Sequence, residues 1–405
     1  MSAPSAELFR SLTVLSLEQA MALPFLTMRL AEEGMQVVRI ERPGTGDPNR
    51  WVGAPLLPAE TGAAEYEPGM NAYYLPNNLG KQAITLNLAE AQGRRLLQEL
   101  IRELSVDIFA TNLRPSSCAK LGIDAGSLRA LRPELIWVGI TGFGPDHDEA
   151  AYDPTLQARA GFMELTGEPD GDPMVFGLPM VDLGAAEHAF GAVMKALYLR
   201  AATGQGSRVD ISMYQSAVSW MVAPVMLSLS LGEKVTRRGN THPFFAPVSV
   251  YPTRDGHVYV AVGNDSQWLA LTELPGFEAL AVQEYARNAG RIAAVDRLNL
   301  ELAAITRLAS TEELIARFTR AGIPISKVSR LPEVCADPLI ADRLVRARDS
   351  RTGVQICISP PPVISEYLQE RDLTLDFPPR LGEHNQEIYG RLGYDAAELQ
   401  AKGLI

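Results

Sequence analysis

The sequence predicts an α/β protein with a large parallel-sheet domain and a smaller α+β domain, on three observations. Strand, helix and strand follow one another near the start, within the roughly thirty residues of a βαβ unit. The chain has 405 residues, 46% of them hydrophobic, which is too long for one small core and enough to pack two lobes. Near Gly239 the pattern changes to a hairpin followed by helices.

Leu12 to Leu17 is an apolar run of strand length, and Ala20 to Glu33 carries an apolar face at helical spacing. Gly34 stops that helix, and Gln36 to Ile40 reads as a second strand. Such a unit implies parallel pairing with a right-handed crossover. The theme returns with a strand at Ala83 to Leu88, an amphipathic helix at Gln92 to Leu104 and a strand at Val106 to Thr111. Leu135 to Thr141 is a further strand, ended by the turn Gly142-Phe143-Gly144-Pro145. Asp182 to Ala202 reads as a long helix closed by Thr203-Gly204-Gln205-Gly206, with the strand Ser207 to Ser212 after it. The large domain is therefore Rossmann-like. In the smaller one, Pro247 to Pro252 and His257 to Gly263 flank the turn Thr253-Arg254-Asp255-Gly256. Helices around Gln267 to Leu274 and Glu312 to Ala321 follow. The expected division is 1–238 for the first part of the large domain, 239–328 for the small domain and 329–405 for a return to the large one.

Composition excludes several classes. A net charge of -11 argues against a general nucleic-acid binder, although a few local Arg and Lys can still hold a polyanion. Cys118, Cys335 and Cys357 have no paired spacing, and the five histidines have no ligand spacing, so neither a disulfide framework nor a metal site is expected. The opening Met-Ser-Ala-Pro-Ser lacks the pattern of a signal peptide. The most apolar stretch, Ala217 to Leu231, is shorter than a membrane span and contains Pro224, so no membrane is expected and cytoplasm is the default location.

The first βαβ unit invites a dinucleotide site, with Glu41 at the end of its second strand. Its turn, Glu18-Gln19-Ala20-Met21-Ala22-Leu23-Pro24, has none of the glycines that let backbone approach a pyrophosphate, which disfavours a nicotinamide or flavin cofactor. Arg42, beside the surface turn Gly44-Thr45-Gly46-Asp47, is either a solvated arginine, the commoner fate, or one that reaches a ligand in the crevice. No Gly-x-Ser-x-Gly elbow occurs. Asp182 precedes a run of small residues, Leu183-Gly184-Ala185-Ala186, at the start of a helix. An aspartate there is a cap or a nucleophile, and spacing does not separate the two.

Taken together, the residues resemble family III CoA-transferases, the group of the formyl-CoA:oxalate and carnitine CoA-transferases. The landmarks are Val37-Val38-Arg39-Ile40-Glu41-Arg42-Pro43 with Gly46-Asp47, Asn112-Leu113-Arg114-Pro115, Lys120-Leu121-Gly122, Tyr152-Asp153, Asp182, Thr203-Gly204-Gln205-Gly206 and Gly382-Glu383-His384-Asn385. The resemblance implies two ring-like chains interlocked as a homodimer, with a paired sister subunit as the other assembly. It implies no permanently bound cofactor, the coenzyme A thioester being a substrate along with a small carboxylic acid. Asp182 falls at the family's nucleophile and Gln19 at a glutamine beside the thioester. Ala20, Arg42, Leu86, Asn112, Leu113, Arg114, Lys120 and Tyr152 fall at or beside positions lining the CoA site.

The reaction implied is transfer of CoA from an acyl-CoA to a carboxylic acid through an aspartyl-CoA thioester. Arg237-Arg238 and His242 read either as a solvated turn, the commoner case, or as a place to meet a second carboxylate on the acyl group, as in succinyl-CoA. An intramolecular version on one diacid is an alternative. So is an α-methylacyl-CoA racemase, but that group has His-Asp where this chain has Tyr152-Asp153, and a glutamate at Ser249. The glycine-rich loop of oxalate enzymes is not evident around Pro243 to Val250.

Overall fold

The computed structural model describes residues 4–55 and 68–405, so Met1 to Ala3 of the opening segment lie outside the described residues. Strands β1 (Thr13–Leu17), β2 (Gln36–Glu41), β3 (Lys81–Thr85), β4 (Ile108–Thr111), β5 (Ile136–Thr141) and β6 (Arg208–Ser212) form one sheet. Their order is β3-β2-β1-β4-β5-β6, and every neighbouring pair is parallel. Such strands, covered on both faces, read as apolar runs; β4, Ile-Phe-Ala-Thr, is buried throughout.

From β1 the chain steps outward to β2 and β3, then returns to β4 on the opposite side of β1. The crevice outside the carboxyl ends of β1 and β4 is the topological switch point, where open parallel sheets bind ligands. Two sequence assignments shift here. The helix between β1 and β2 spans Ala22–Glu32, starting later than Ala20, because Ala20 adopts a left-handed conformation with φ of +63°. The third strand is Lys81–Thr85 and not Ala83 to Leu88. It begins at a charged residue whose ammonium is buried and donates to Glu18, Asn78 and the Pro24 carbonyl. Leu86 and Leu88 continue the apolar run into the core beyond the strand's end.

The last segment returns to this sheet and covers its β3 edge. His384 N donates to the Ala83 carbonyl (2.9 Å) while Ala83 N donates to His384 Nδ1 (3.1 Å). Thr85 N donates to Asn385 Oδ1 (2.8 Å), and the Tyr389 hydroxyl donates to the Thr85 carbonyl (2.7 Å). The Gly382-Glu383-His384-Asn385 landmark thus satisfies an edge that would otherwise offer bare backbone groups.

The chain divides into two compact units. One comprises Met1–Gly161, Phe176–Leu231 and Leu339–Ile405; the other comprises Phe162–Val175 and Gly232–Pro338. The second is wider than residues 239–328 and takes in a segment from before the long helix. Its antiparallel strands β7 (Val248–Pro252), β8 (His257–Ala261) and β9 (Ile325–Lys327) pack with Trp268, Phe277, Tyr285 and Phe318 in their own core. No helix among the described residues is long and apolar enough to cross a membrane.

Candidate active site

At the switch point, the loop after β1 is fixed from three sides. Gln19 N donates to Asn112 Oδ1 (3.1 Å) and Asn112 Nδ2 donates to the Gln19 carbonyl (2.7 Å), which ties the end of β1 to the end of β4. Ala20 N donates to Asp47 Oδ1 (3.3 Å), and Asn49 Nδ2 donates to the Ala20 carbonyl (2.8 Å). These bonds hold Ala20 in a region that costs a non-glycine residue on the order of 1–2 kcal/mol. The turn therefore has the left-handed bend that glycine favours without containing glycine. With its backbone engaged, Gln19 keeps its carboxamide free of hydrogen bonds among the described residues.

Beneath this loop lies a cluster of buried charges. Arg50 pairs with Glu41 (2.5 Å), Arg39 with Asp47 (3.0 Å) and Lys81 with Glu18 (2.8 Å). Burial by itself would raise the Glu18 carboxyl, but the charges of Lys81 and Arg39 hold it below its ordinary value. Burial pushes the Lys81 ammonium down to about 8 against the pull of Glu18. Breaking such a pair on one side leaves an uncompensated interior charge, so the cluster rigidly braces Asp47 and the loop above it.

Asp182 sits on the helix Met180–Thr203, within its first turn, with Pro179 at the N-cap position. The capping reading of Asp182 fails because another carboxylate does that work. Asp153 Oδ2 accepts from both Val181 N (2.7 Å) and Asp182 N (3.1 Å), and Gln157 Nε2 donates to Asp153 Oδ1 (2.5 Å). Asp182's own carboxyl makes no hydrogen bond among the described residues. Burial, and then the charge of Asp153, pushes it up to about 7. Close packing fixes the helix: a Cβ at Gly184 would lie 2.2 Å from the Trp220 ring, and Ala185, Ala186 and Ala189 are buried.

Two cavities meet at Gln19, Leu113 and Ser117. One of about 320 Å³ is lined by Asp182, Gln19, Ala20, Asn112, Leu113, Arg114 and Tyr152, among others. The other, of about 730 Å³, is lined by Gln19, Arg42, Leu86, Leu113 and Lys120, among others. The geometry thus brings together the residues named from the sequence for the nucleophile and the CoA site, with Asp182 in the smaller cavity and the cations Arg42 and Lys120 in the larger. Sequence reading missed Asp153 as the group that orders the helix start, Arg94 and Ser117 in the larger cavity, and Tyr73. Burial, and then the charges of Asp182 and Asp153, raises the Tyr73 phenol. Asp153, followed by Pro154 and Thr155, carries little pattern of its own.

Arg237, Arg238 and His242 belong to the second unit. Arg237 already pairs with Glu164 (2.7 Å), and His242 packs on Phe244 and Phe245. Among the described residues no group of three or more His, Cys, Asp or Glu is arranged to hold a metal.

The sequence profile described as CoA-transferase family III matches residues 10–385. A succinate–glutarate CoA-transferase of Agrobacterium fabrum is 32% identical, the alignment covering 94% of this chain and 94% of that protein. A succinyl-CoA:mesaconate CoA-transferase of Haloarcula marismortui is also 32% identical, over 95% and 96% of the two chains. Among solved structures, a CAIB/BAIF family protein from Brucella suis superposes with a TM-score of 0.80 at 30% identity, over 97% of this chain and all of that one.

Proposed function

The chain belongs to CoA-transferase family III, and from that membership we propose that it moves CoA from a dicarboxylic acyl-CoA such as succinyl-CoA to a second carboxylic acid, with Asp182 as the covalent nucleophile. Relatives named for succinate, glutarate and mesaconate support the diacid class. The single observation that carries the nucleophile is an unbonded carboxyl facing a cavity that adjoins one large enough for a carrier arm.

An Asp182 oxygen attacks the thioester carbonyl, and the C–S bond breaks to give an acyl-aspartyl anhydride and CoA thiolate. The thiolate attacks the aspartyl carbonyl and releases the donor acid, leaving an aspartyl-CoA thioester. The acceptor carboxylate attacks that carbonyl and displaces the thiolate, which then attacks the acceptor's acyl carbon and frees Asp182. Each step exchanges one activated acyl group for another, so no ATP enters. Gln19 has a free carboxamide at the junction of the cavities and donates to the oxyanion of these tetrahedral states. Arg42, Leu86, Leu113 and Lys120 line the place for the CoA carrier, while Ala20, Asn112, Arg114 and Tyr152 surround the acyl end. CoA enters as a substrate and is not held between turnovers. The reactants fit the cytoplasmic setting expected from the sequence.

An interlocked homodimer is part of the same proposal. Of the apolar helix Val222–Leu231 only Leu227 is buried, and Leu229 is 82% exposed, which supports a partner surface there. The racemase alternative gains nothing: Asp153 has its carboxylate engaged by Val181 and Asp182, and Tyr152 supplies no imidazole. The test is incubation with succinyl-CoA followed by hydroxylamine, then peptide mass analysis. Hydroxamate on Asp182, with glutaryl-CoA formed when glutarate is added, is the expected result. An Asp182→Ala enzyme that still transfers CoA overturns it.

A further inference from the structure

In this acidic protein most buried or half-buried cations face a carboxylate, but the larger cavity collects cations that do not. Arg42, Lys120 and Arg94 all line it, and among the described residues none of them has a carboxylate within ion-pair distance. The acidic groups on the same wall, Glu18, Glu41 and Asp47, are already engaged by Lys81, Arg50 and Arg39 below. The net field toward the cavity is therefore positive.

Arg94 differs from the other two in being half-buried and held in place. It lies in the first turn of the helix Ala91–Glu103, which approaches the cavity rim so closely that a Cβ at Gly93 would fall 2.0 Å from the Asn87 carbonyl. Its Nη1 donates to the carbonyls of Leu88 (2.8 Å) and Ala89 (2.9 Å). Nε and Nη2 make no hydrogen bond among the described residues. One edge of the guanidinium is thus anchored to the rim and the other is unoccupied. A pre-oriented planar fork with free donors is suited to a phosphate, and little side-chain freedom is lost on binding.

We infer that Arg94 is a phosphate-binding residue for the nucleotide end of the CoA carrier, acting with Arg42 and Lys120. This rests on the reading of the chain as a CoA-transferase. It assigns to Arg94 a contact with substrate and no part in the acyl chemistry.

The test compares Arg94→Gln with wild type on succinyl-CoA and on succinyl-pantetheine, which lacks every phosphate, with calorimetric titration of CoA itself alongside. Loss of a charge-assisted contact is expected to lower kcat/KM for succinyl-CoA about 10- to 100-fold, through KM, and to weaken CoA binding by a similar factor. Succinyl-pantetheine should be turned over equally by both proteins, and Arg94→Lys should recover part of the loss. Unchanged CoA affinity in Arg94→Gln, or equal losses with both thioesters as a collapsed rim would give, overturns the assignment while leaving the transferase reading intact. A wild-type protein that binds no CoA overturns both together.

Discussion

The Asn112 carboxamide accepts from Gln19 N and donates to the Gln19 carbonyl, and so joins the ends of the two strands that part at the switch point. Since Gln19 also borders both cavities, the position of its carboxamide depends on Asn112. Asn112→Ala removes both bonds from backbone groups that solvent can reach and is expected to cost about 0.5–1.5 kcal/mol of stability. It should lower kcat by about 10-fold as Gln19 drifts from the oxyanion position. Urea unfolding and steady-state kinetics check the two effects separately.

Asp182 supplies a pH dependence with a definite sign. Its carboxyl is raised from 3.8 to about 7 by burial and by Asp153, and in the proposed mechanism only the ionised form attacks. The kcat/KM for acyl-CoA should therefore rise through about pH 7 and level off above it. A raised carboxyl favours the folded state below the unfolded value and loses that contribution as pH climbs through the folded one. Asp182→Asn, which does not ionise, should be inactive yet melt higher than wild type at pH 8. The difference should close toward pH 4; thermal melts across that range decide it.

Asp153 is the second cause of that rise, after burial. Asp153→Asn should move the acidic limb of the kcat/KM profile to lower pH, by less than the full distance to an ordinary aspartate. The same change removes a negative charge from the start of the helix Met180–Thr203, at about 0.3–1 kcal/mol. A limb that stays in place shows that Asp153 only shapes the helix.

Gly184 is where the helix that carries Asp182 meets Trp220. Adding a methyl in Gly184→Ala puts it 2.2 Å from the ring, so one of the two must move. The expected cost is about 1–3 kcal/mol, with at least about 10-fold lower kcat as Asp182, two residues away, shifts with the backbone. Melting temperature and kcat report the two together.

The first two strands were legible because each is buried almost throughout and so reads as a short apolar run, and the helix between them because Gly34 closes its apolar stretch. The third strand was misplaced: Lys81 looks like a loop residue until its pairing with Glu18, from a different strand end, is known. Asp182 was singled out as the candidate nucleophile by resemblance, whereas its local sequence suggested a cap; the residue doing the capping, Asp153, is 29 positions earlier and has no periodic relation to it. The absence of glycine after β1 did argue against a dinucleotide site, yet the bend itself persisted, forced on Ala20 by Asp47 and Asn49. Arg94 went unremarked because an arginine in an amphipathic helix reads as solvent-facing. Its importance comes from what surrounds it in space.

The bond from His384 to Ala83 spans 301 positions. During synthesis at ~5–20 residues per second, the rim strand emerges roughly 15–60 s before the segment that seals it. Throughout that interval the nascent polypeptide presents a ready template for stray pairing with its neighbours on a polysome. A message cut short near its 3′ end would make this exposure permanent, so clipped products should precipitate even though they retain nearly all of the interior.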